Sequence, residues 1–414
     1  MRRNWDRWRA RLVLLGLITA VASIPAAAMG SEKTVYAFSG GTDGSGSLGG
    51  LTPDGKGNFY GTSATGGGAG FGNVYRLSPT GREKVLYQFQ GGSDGAYPGG
   101  GITLDSAGNL YGATFGGGSN SCSRGCGTIF RITPLGKESV LYIFQGGADG
   151  VEPVGNLALD SKGNLYGATL FGGDYSATEC ADTGCGTVFE IQADGSKITL
   201  HTFLGGTDGA LPAAGVIIDA DDNLYGTTTD GGNTICRTGC GTVFKISPGG
   251  AETVLHAFCA DQTCDEGSTP ESSLLLDGAG NLYGTAAGGG GAGNNGTVFK
   301  LAPDGTETVL YSFKGGSDGF FPEAGVIMDE AGNLFGTTFA GGIHHACHKV
   351  LGDGCGTVFE VKPNGSETVL YAFTKERGTF PVAPVLMDKN GSLYGTTSAG
   401  GKYNQGVVFK VRPK

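Results

Sequence analysis

Tryptophan is nearly missing from this chain of 414 residues: the only two, Trp5 and Trp8, precede residue 12. A sugar-binding face built on indole rings is therefore not expected. Charge is also sparse, at 16% of residues. No Cys-x2-Cys pair occurs, which argues against a zinc site. No nucleophile elbow, paired-histidine helix or phosphate loop is present, so no catalytic set and no cofactor is expected. Helical periodicity is absent throughout. Long apolar runs are absent too, with one exception at the N-terminus.

That exception reads as a leader. "MRRNWDRWRAR" is cationic, residues 12–24 are apolar, and "PAAA" at 25–28 offers small residues to a signal peptidase. The apolar stretch is short for a membrane span. Residues 1–28 are expected to be a signal peptide of the general secretory type, with an uncleaved anchor as the weaker alternative. No membrane span is expected after cleavage, and the chain is expected to be secreted, periplasmic or at the cell surface. Beyond the five arginines and one aspartate of the leader lie 23 basic and 37 acidic residues, a net charge of −14. So acidic a surface disfavours nucleic acid and anionic lipid as partners.

Glycine is what the chain has in excess, with 82 residues. There is no collagen period, and 39% hydrophobic residues suffice for a core. The glycines belong to repeated phrases. "GNLYGTT" or a close variant recurs around Asn58, Asn109, Asn164, Asn223, Asn281, Asn333 and Ser392, at intervals of 51–59 residues. "GTVF" and "ETVLYxF" keep step with it. Repetition at this period indicates a solenoid, propeller or array.

Each unit reads as four short strands, A to D, bounded by Gly, Pro, Asn and Asp. The segment "GVIMD" is strand A, "LFGTT" B, "GTVFEV" C and "TVLYAF" D. Apolar residues on both strand faces favour blades stacked about an axis over a two-layer sandwich. A β-helix coil would be shorter. The expected fold is all-β, a seven-bladed propeller of four-stranded antiparallel blades, forming one domain over residues 29–414. "TVYAF" near the start is a lone D strand, and the last unit lacks one. The two should pair in a one-plus-three closure that protects the edges.

The combined pattern "GNLYGTT…GG…GTVFxI…G.ETVLYxF.GG.DG..P" resembles the GloVer repeat of bacterial choice-of-anchor tandem-repeat proteins. The resemblance implies an exported bacterial protein and no particular activity. It also implies a C-terminal sorting segment, but Lys414 follows the last expected strand directly, so anchoring by that route is not expected.

The D-to-A and B-to-C loops vary most and should share one face, the natural place for binding. The D-to-A loops carry Asp43, Asp94, Asp149, Asp208 and Asp318. A partial ring of carboxylates around a cation or polar ligand is one reading. Asp bonding its own backbone in a turn is the favoured one. The aspartates ending the A strands, such as Asp105 and Asp160, read as turn residues. The ten cysteines form five local pairs: Cys122/Cys126, Cys180/Cys185, Cys236/Cys240, Cys259/Cys264 and Cys347/Cys355. In an exported chain these are expected disulfides, each closing a small loop for about 2 kcal/mol. His344, His345 and His348 could hold copper or zinc, but a solvated loop is favoured. His201 and His256 should be packed strand residues. Tyr97, Phe320 and Phe321 could stack on a ligand.

The expectation is thus an exported, monomeric, non-enzymatic binding scaffold. Its partner class stays open between a glycan and a cell-surface protein. The alternative is a polysaccharide lyase or hydrolase using loop carboxylates or His344 and His348.

Overall fold

The structure is a computed structural model that describes residues 31–413 except 177, 179, 234, 262, 343–346 and 348–353. The expected leader, His344 and His348 lie outside the described residues. Seven antiparallel sheets follow one another in chain order. Each runs from a short strand A at the axis to a strand D at the rim, so the ring is a seven-bladed β-propeller.

Closure is one-plus-three. The strand Ser31–Ala37 pairs antiparallel with Val407–Arg412, from Ser31 opposite Arg412 to Ala37 opposite Val407. It becomes the outer strand of blade 7. Blades 1 to 6 each come from a single repeat.

The recurring phrases have a packing cause. The aromatic residue of "GTVF" lies across the glycine of "LYGTT" on the paired strand. A Cβ on Gly112 would come within 2.5 Å of the Phe130 ring. The glycine of "GTVF" itself lies against the next blade. A Cβ on Gly127, where φ is +97°, would meet Pro153 Cδ at 2.4 Å. The first glycine makes room for the ring over its own sheet, and the second lets neighbouring blades touch.

Each blade junction is held by a buried aromatic pair. The phenylalanine ending each outer strand meets the strand C aromatic of the next blade edge to face. The seven pairs run from Phe38–Tyr75 to Phe373–Phe409, with centroids 4.9–5.2 Å apart. Each contributes roughly 0.5–1.5 kcal/mol beyond its buried area. At the axis, threonines of strand B donate to backbone oxygens of the next blade, as Thr62 does to Gly100 and Thr396 to Gly49. The second of these links blade 7 to blade 1.

Strand A is shorter than expected. In most blades only two residues pair, such as Ile327–Met328, whereas blade 3 pairs along Val151–Leu159. Glycine and serine crowd the preceding segment where the sheets converge. A Cβ on Gly100 would come 2.0 Å from the Gly155 oxygen. The backbones approach too closely there for a longer ladder.

Candidate functional site

The D-to-A loops hold a feature repeated in every blade. The third residue of each "GxxP" stretch has a left-handed backbone: Tyr97 (φ 58°), Glu152 (58°), Leu211 (59°), Thr269 (55°), Phe321 (56°) and Phe380 (59°), with Gly46 (63°) in blade 1. Bulky side chains rarely adopt this conformation, and a residue before proline is normally extended. Hydrogen bonds hold it in place. Each N–H donates to a carbonyl at the end of the previous blade's B-to-C loop, at 2.7–3.1 Å. The acceptors in turn are Gln405, Phe71, Cys126, Cys185, Cys240, Asn295 and Cys355. The carbonyls of Leu211, Thr269, Phe321 and Phe380 accept from their own strand B side.

Four of the seven acceptors are disulfide cysteines. All five expected disulfides are present, and no cysteine is free. Among the described residues, no helix is long and apolar enough to cross a membrane. Five disulfides suit an oxidising, extracellular environment.

Aromatic side chains gather at these positions. Phe380 stacks on Phe339 at 4.8 Å and 20°, Tyr97 meets Phe71 edge-on at 5.6 Å, and Phe320 meets Phe321 at 5.0 Å. All are half-buried. Two residues beyond the left-handed position, Glu271 and Glu323 follow Pro270 and Pro322 in adjacent blades. Burial, and then the charge of Glu271, hold the Glu323 carboxyl well above the usual range. A carboxyl whose affinity for a proton is raised in this way is a candidate general acid. A hollow of about 270 Å³ lies beside the axis, lined by Thr103, Asn156, Leu159, Ile218 and Ser273.

The five loop aspartates lie at the rim, against the outer strands, and do not face a shared centre. Asp43, Asp94, Asp149 and Asp318 each accept from a tyrosine of strand D, namely Tyr36, Tyr87, Tyr142 and Tyr311, at 2.8–3.0 Å. His201 takes the phenol's place beside Asp208, at 3.2 Å. Each aspartate also accepts a backbone N–H from four residues earlier, as Asp94 does from Gln90 at 2.8 Å. The aspartates ending the A strands cap their turns instead. Asp105 accepts the backbone and side-chain N–H groups of Asn109 at 2.8 and 2.7 Å.

Across each blade junction, the residue before the loop glycine faces a residue at the start of the next outer strand, the first in six blades and the second, Glu32, in blade 7. In five junctions both are acids: Asp43/Glu83, Asp94/Glu138, Asp208/Glu252, Glu266/Glu307 and Asp318/Glu367. Each of these five strand glutamates has a buried carboxylate oxygen with no hydrogen-bond partner. Burial, then the opposing acid, push Glu83 and Glu307 up to about 7 and Glu367 to about 8. The remaining two junctions are ion pairs. Lys197 Nζ lies 2.9 Å from Asp149 with only 4% of its side chain exposed, and Arg377 lies 3.2 Å from Glu32.

The chain belongs to the family described as the Gloeobacter/Verrucomicrobia repeat, which matches residues 24–179 and 121–350. No curated protein matches the sequence. Among solved structures, the extracellular domain named for a one component system of B. thetaiotaomicron is similar at TM-score 0.53 and 11% identity. The likeness covers 92% of this chain and 40% of that one. A gluconolactonase of Xanthomonas campestris is similar at TM-score 0.43 and 11% identity, over 92% of this chain and 89% of that one. The likeness at such identities is one of fold alone.

Proposed function

We propose that this protein is an exported, non-enzymatic binding scaffold whose loop face presents Tyr97, Glu152, Leu211, Thr269, Phe321 and Phe380 to a ligand. One observation carries the reading. The backbone at this position is left-handed and clamped alike in all seven blades, and strained in the six that carry a side chain there, while that side chain varies around the ring. A uniform frame with variable side chains suits a recognition surface, and strain of this kind gathers at functional sites. Disulfides at four of the clamps add rigidity, which lowers the ordering cost of binding. The aromatic members suit the apolar face of a glycan or an extended surface segment of a cell-surface protein. Screening the mature protein against a glycan panel and a set of cell-surface proteins tests this. Tyr97→Ala with Phe380→Ala should weaken a confirmed ligand by about tenfold, or 1.4 kcal/mol. Unchanged affinity would remove these residues from the surface.

The Glu271/Glu323 pair favours a second reading, a polysaccharide hydrolase or lyase. Product release from the same panel distinguishes the two. If it occurs, Glu323→Gln should abolish it while leaving binding intact.

A further inference from the structure

The blade 4 loops bring two cysteine pairs together. Cys236 and Cys240 close a B-to-C loop, and Cys259 and Cys264 lie in the D-to-A loop leaving the same blade. That loop has three more residues between its phenylalanine and the Cys264 position than its counterpart in blade 2, where Gly147 stands at the same point. The counterpart is recognised by its bonding: Gly290 N–H donates to the Cys264 oxygen as Gly173 N–H does to Gly147. The insertion carries the second pair onto the first. One sulfur from each of the four cysteines can be enclosed within a mutual 4.8 Å, and Cys236 Sγ lies 3.8 Å from Cys259 Sγ. Cys240 and Cys259 are fully buried. The Cys236 backbone N–H points at Cys240 Sγ, at 3.2 Å.

We infer that these four cysteines, when reduced, form a tetrathiolate site for a soft divalent cation such as Zn²⁺, and that the two disulfides are its oxidised form. A tetrahedral zinc with bonds near 2.3 Å needs sulfurs roughly 3.8 Å apart. Between Cys236 and Cys259 that spacing already exists, and the other sulfurs of the two pairs lie within 4.8 Å; within each pair the sulfurs must part by side-chain rotation. The newly made chain carries thiols, so it needs no reductant. Four thiols bind Zn²⁺ and release four protons. Oxidation by two equivalents of a disulfide oxidant then takes four electrons from the thiolates. It consumes four protons, yields four oxidant thiols, forms the two protein disulfides and frees Zn²⁺. The other three disulfides belong to loops without a second pair nearby and serve as internal controls. Metal held in this way keeps Cys236, Cys240, Cys259 and Cys264 from pairing with the six other cysteines.

The test uses the mature protein reduced with a phosphine. One equivalent of Co²⁺ should give tetrahedral d–d and thiolate charge-transfer bands, discharged by Zn²⁺. Cys259→Ser with Cys264→Ser should lose those bands, and Cys122→Ser with Cys126→Ser should keep them. The chain is also refolded from denaturant with Zn²⁺ and treated with an alkylating agent. Cys236, Cys240, Cys259 and Cys264 should be protected while the other six are modified. Absent bands, bands that survive the Cys259/Cys264 change, or alkylation of all ten cysteines alike would each overturn the inference. The alkylation pattern decides the matter whether or not the reduced chain keeps its fold.

Discussion

Five blade junctions set acid against acid at the rim, and two set acid against base. Lys197 and Glu367 stand at the same point of their outer strands, each opposite a loop aspartate five residues after the preceding phenylalanine, so between those two junctions the difference is one of side chains. At the blade 2–3 junction Lys197 donates to the Asp149 carboxylate and backbone oxygen, and to Thr199, all at 2.9 Å. At the blade 5–6 junction a glutamate stands where Lys197 would be, and Asp318 faces Glu367 with Tyr311 and Lys314 beside them. One carboxyl there must keep a proton or carry unfavourable charge. The ring thus has fixed opposite charges at two junctions and, at five, an opposed acid pair in which burial and the facing acid raise the glutamate's affinity for a proton.

The largest effect should come from converting one kind into the other. Lys197→Glu removes a buried cation and opposes two carboxylates. It should cost about 3 kcal/mol or more at pH 8. Chemical denaturation at pH 8 and pH 5 should show the loss shrinking in acid.

The pH profile of the unaltered protein comes next. Glu83, Glu307 and Glu367 have folded pKa values near 7, 7 and 8, above their ordinary 4.5. The folded state therefore binds more protons between those values, and stability falls as pH rises from about 4.5 to about 8. The turn carboxylates Asp105, Asp160 and Asp219 are lowered despite burial, by bonds from their asparagines and neighbouring backbone, and fail only below their ordinary 3.8. Burial also lowers His256, despite Glu266, which opposes stability in acid below its ordinary 6.5. The melting temperature should peak at about pH 5. A flat profile from pH 5 to 8 would mean that the acid pairs do not hold protons.

Single neutralisations sharpen the point. Glu367→Gln should raise stability at pH 8 by on the order of 1 kcal/mol after allowance for solvent screening, and little at pH 5. The smallest effect belongs to Arg377→Ala. Its side chain is 54% exposed, so the loss at pH 8 should stay below about 1 kcal/mol.

The fold was legible because each blade repeats the same packing solution. Gly112 beneath Phe130 and Phe89 against Phe130 write the phrases "LYGTT", "GTVF" and "VLYxF" into every copy. Closure was legible from an orphan outer strand and a unit lacking one. The junctions were not. Glu83 and its equivalents showed only as the first letter of the phrase "ETVLYxF", because their partners lie 40 to 49 positions upstream, in the loop that crosses from the preceding blade, and no local period reports such a contact. Glu266 was further hidden by the three-residue insertion that also carries Cys259 and Cys264. The left-handed residues escaped because proline at the next position argues for an extended backbone. Only the inter-blade hydrogen bonds reveal that they are held otherwise. Tyr97 and Phe321 were singled out for their rings; Phe380 carried the same signal, a ring before proline, and was missed, whereas Leu211 carried none.

The pairing of Ser31 with Arg412 also fixes an orientation. The first described strand enters, and the last one leaves, at the same point of the rim, on the face of the tight C-to-D turns. The variable loops occupy the opposite face. A tether at either end, whether a retained leader, a surface support or a fused label, would hold the ring like a dish on its stem, with Tyr97, Phe321 and Phe380 turned outward. Immobilising the protein through either terminus for binding measurements should leave that face open.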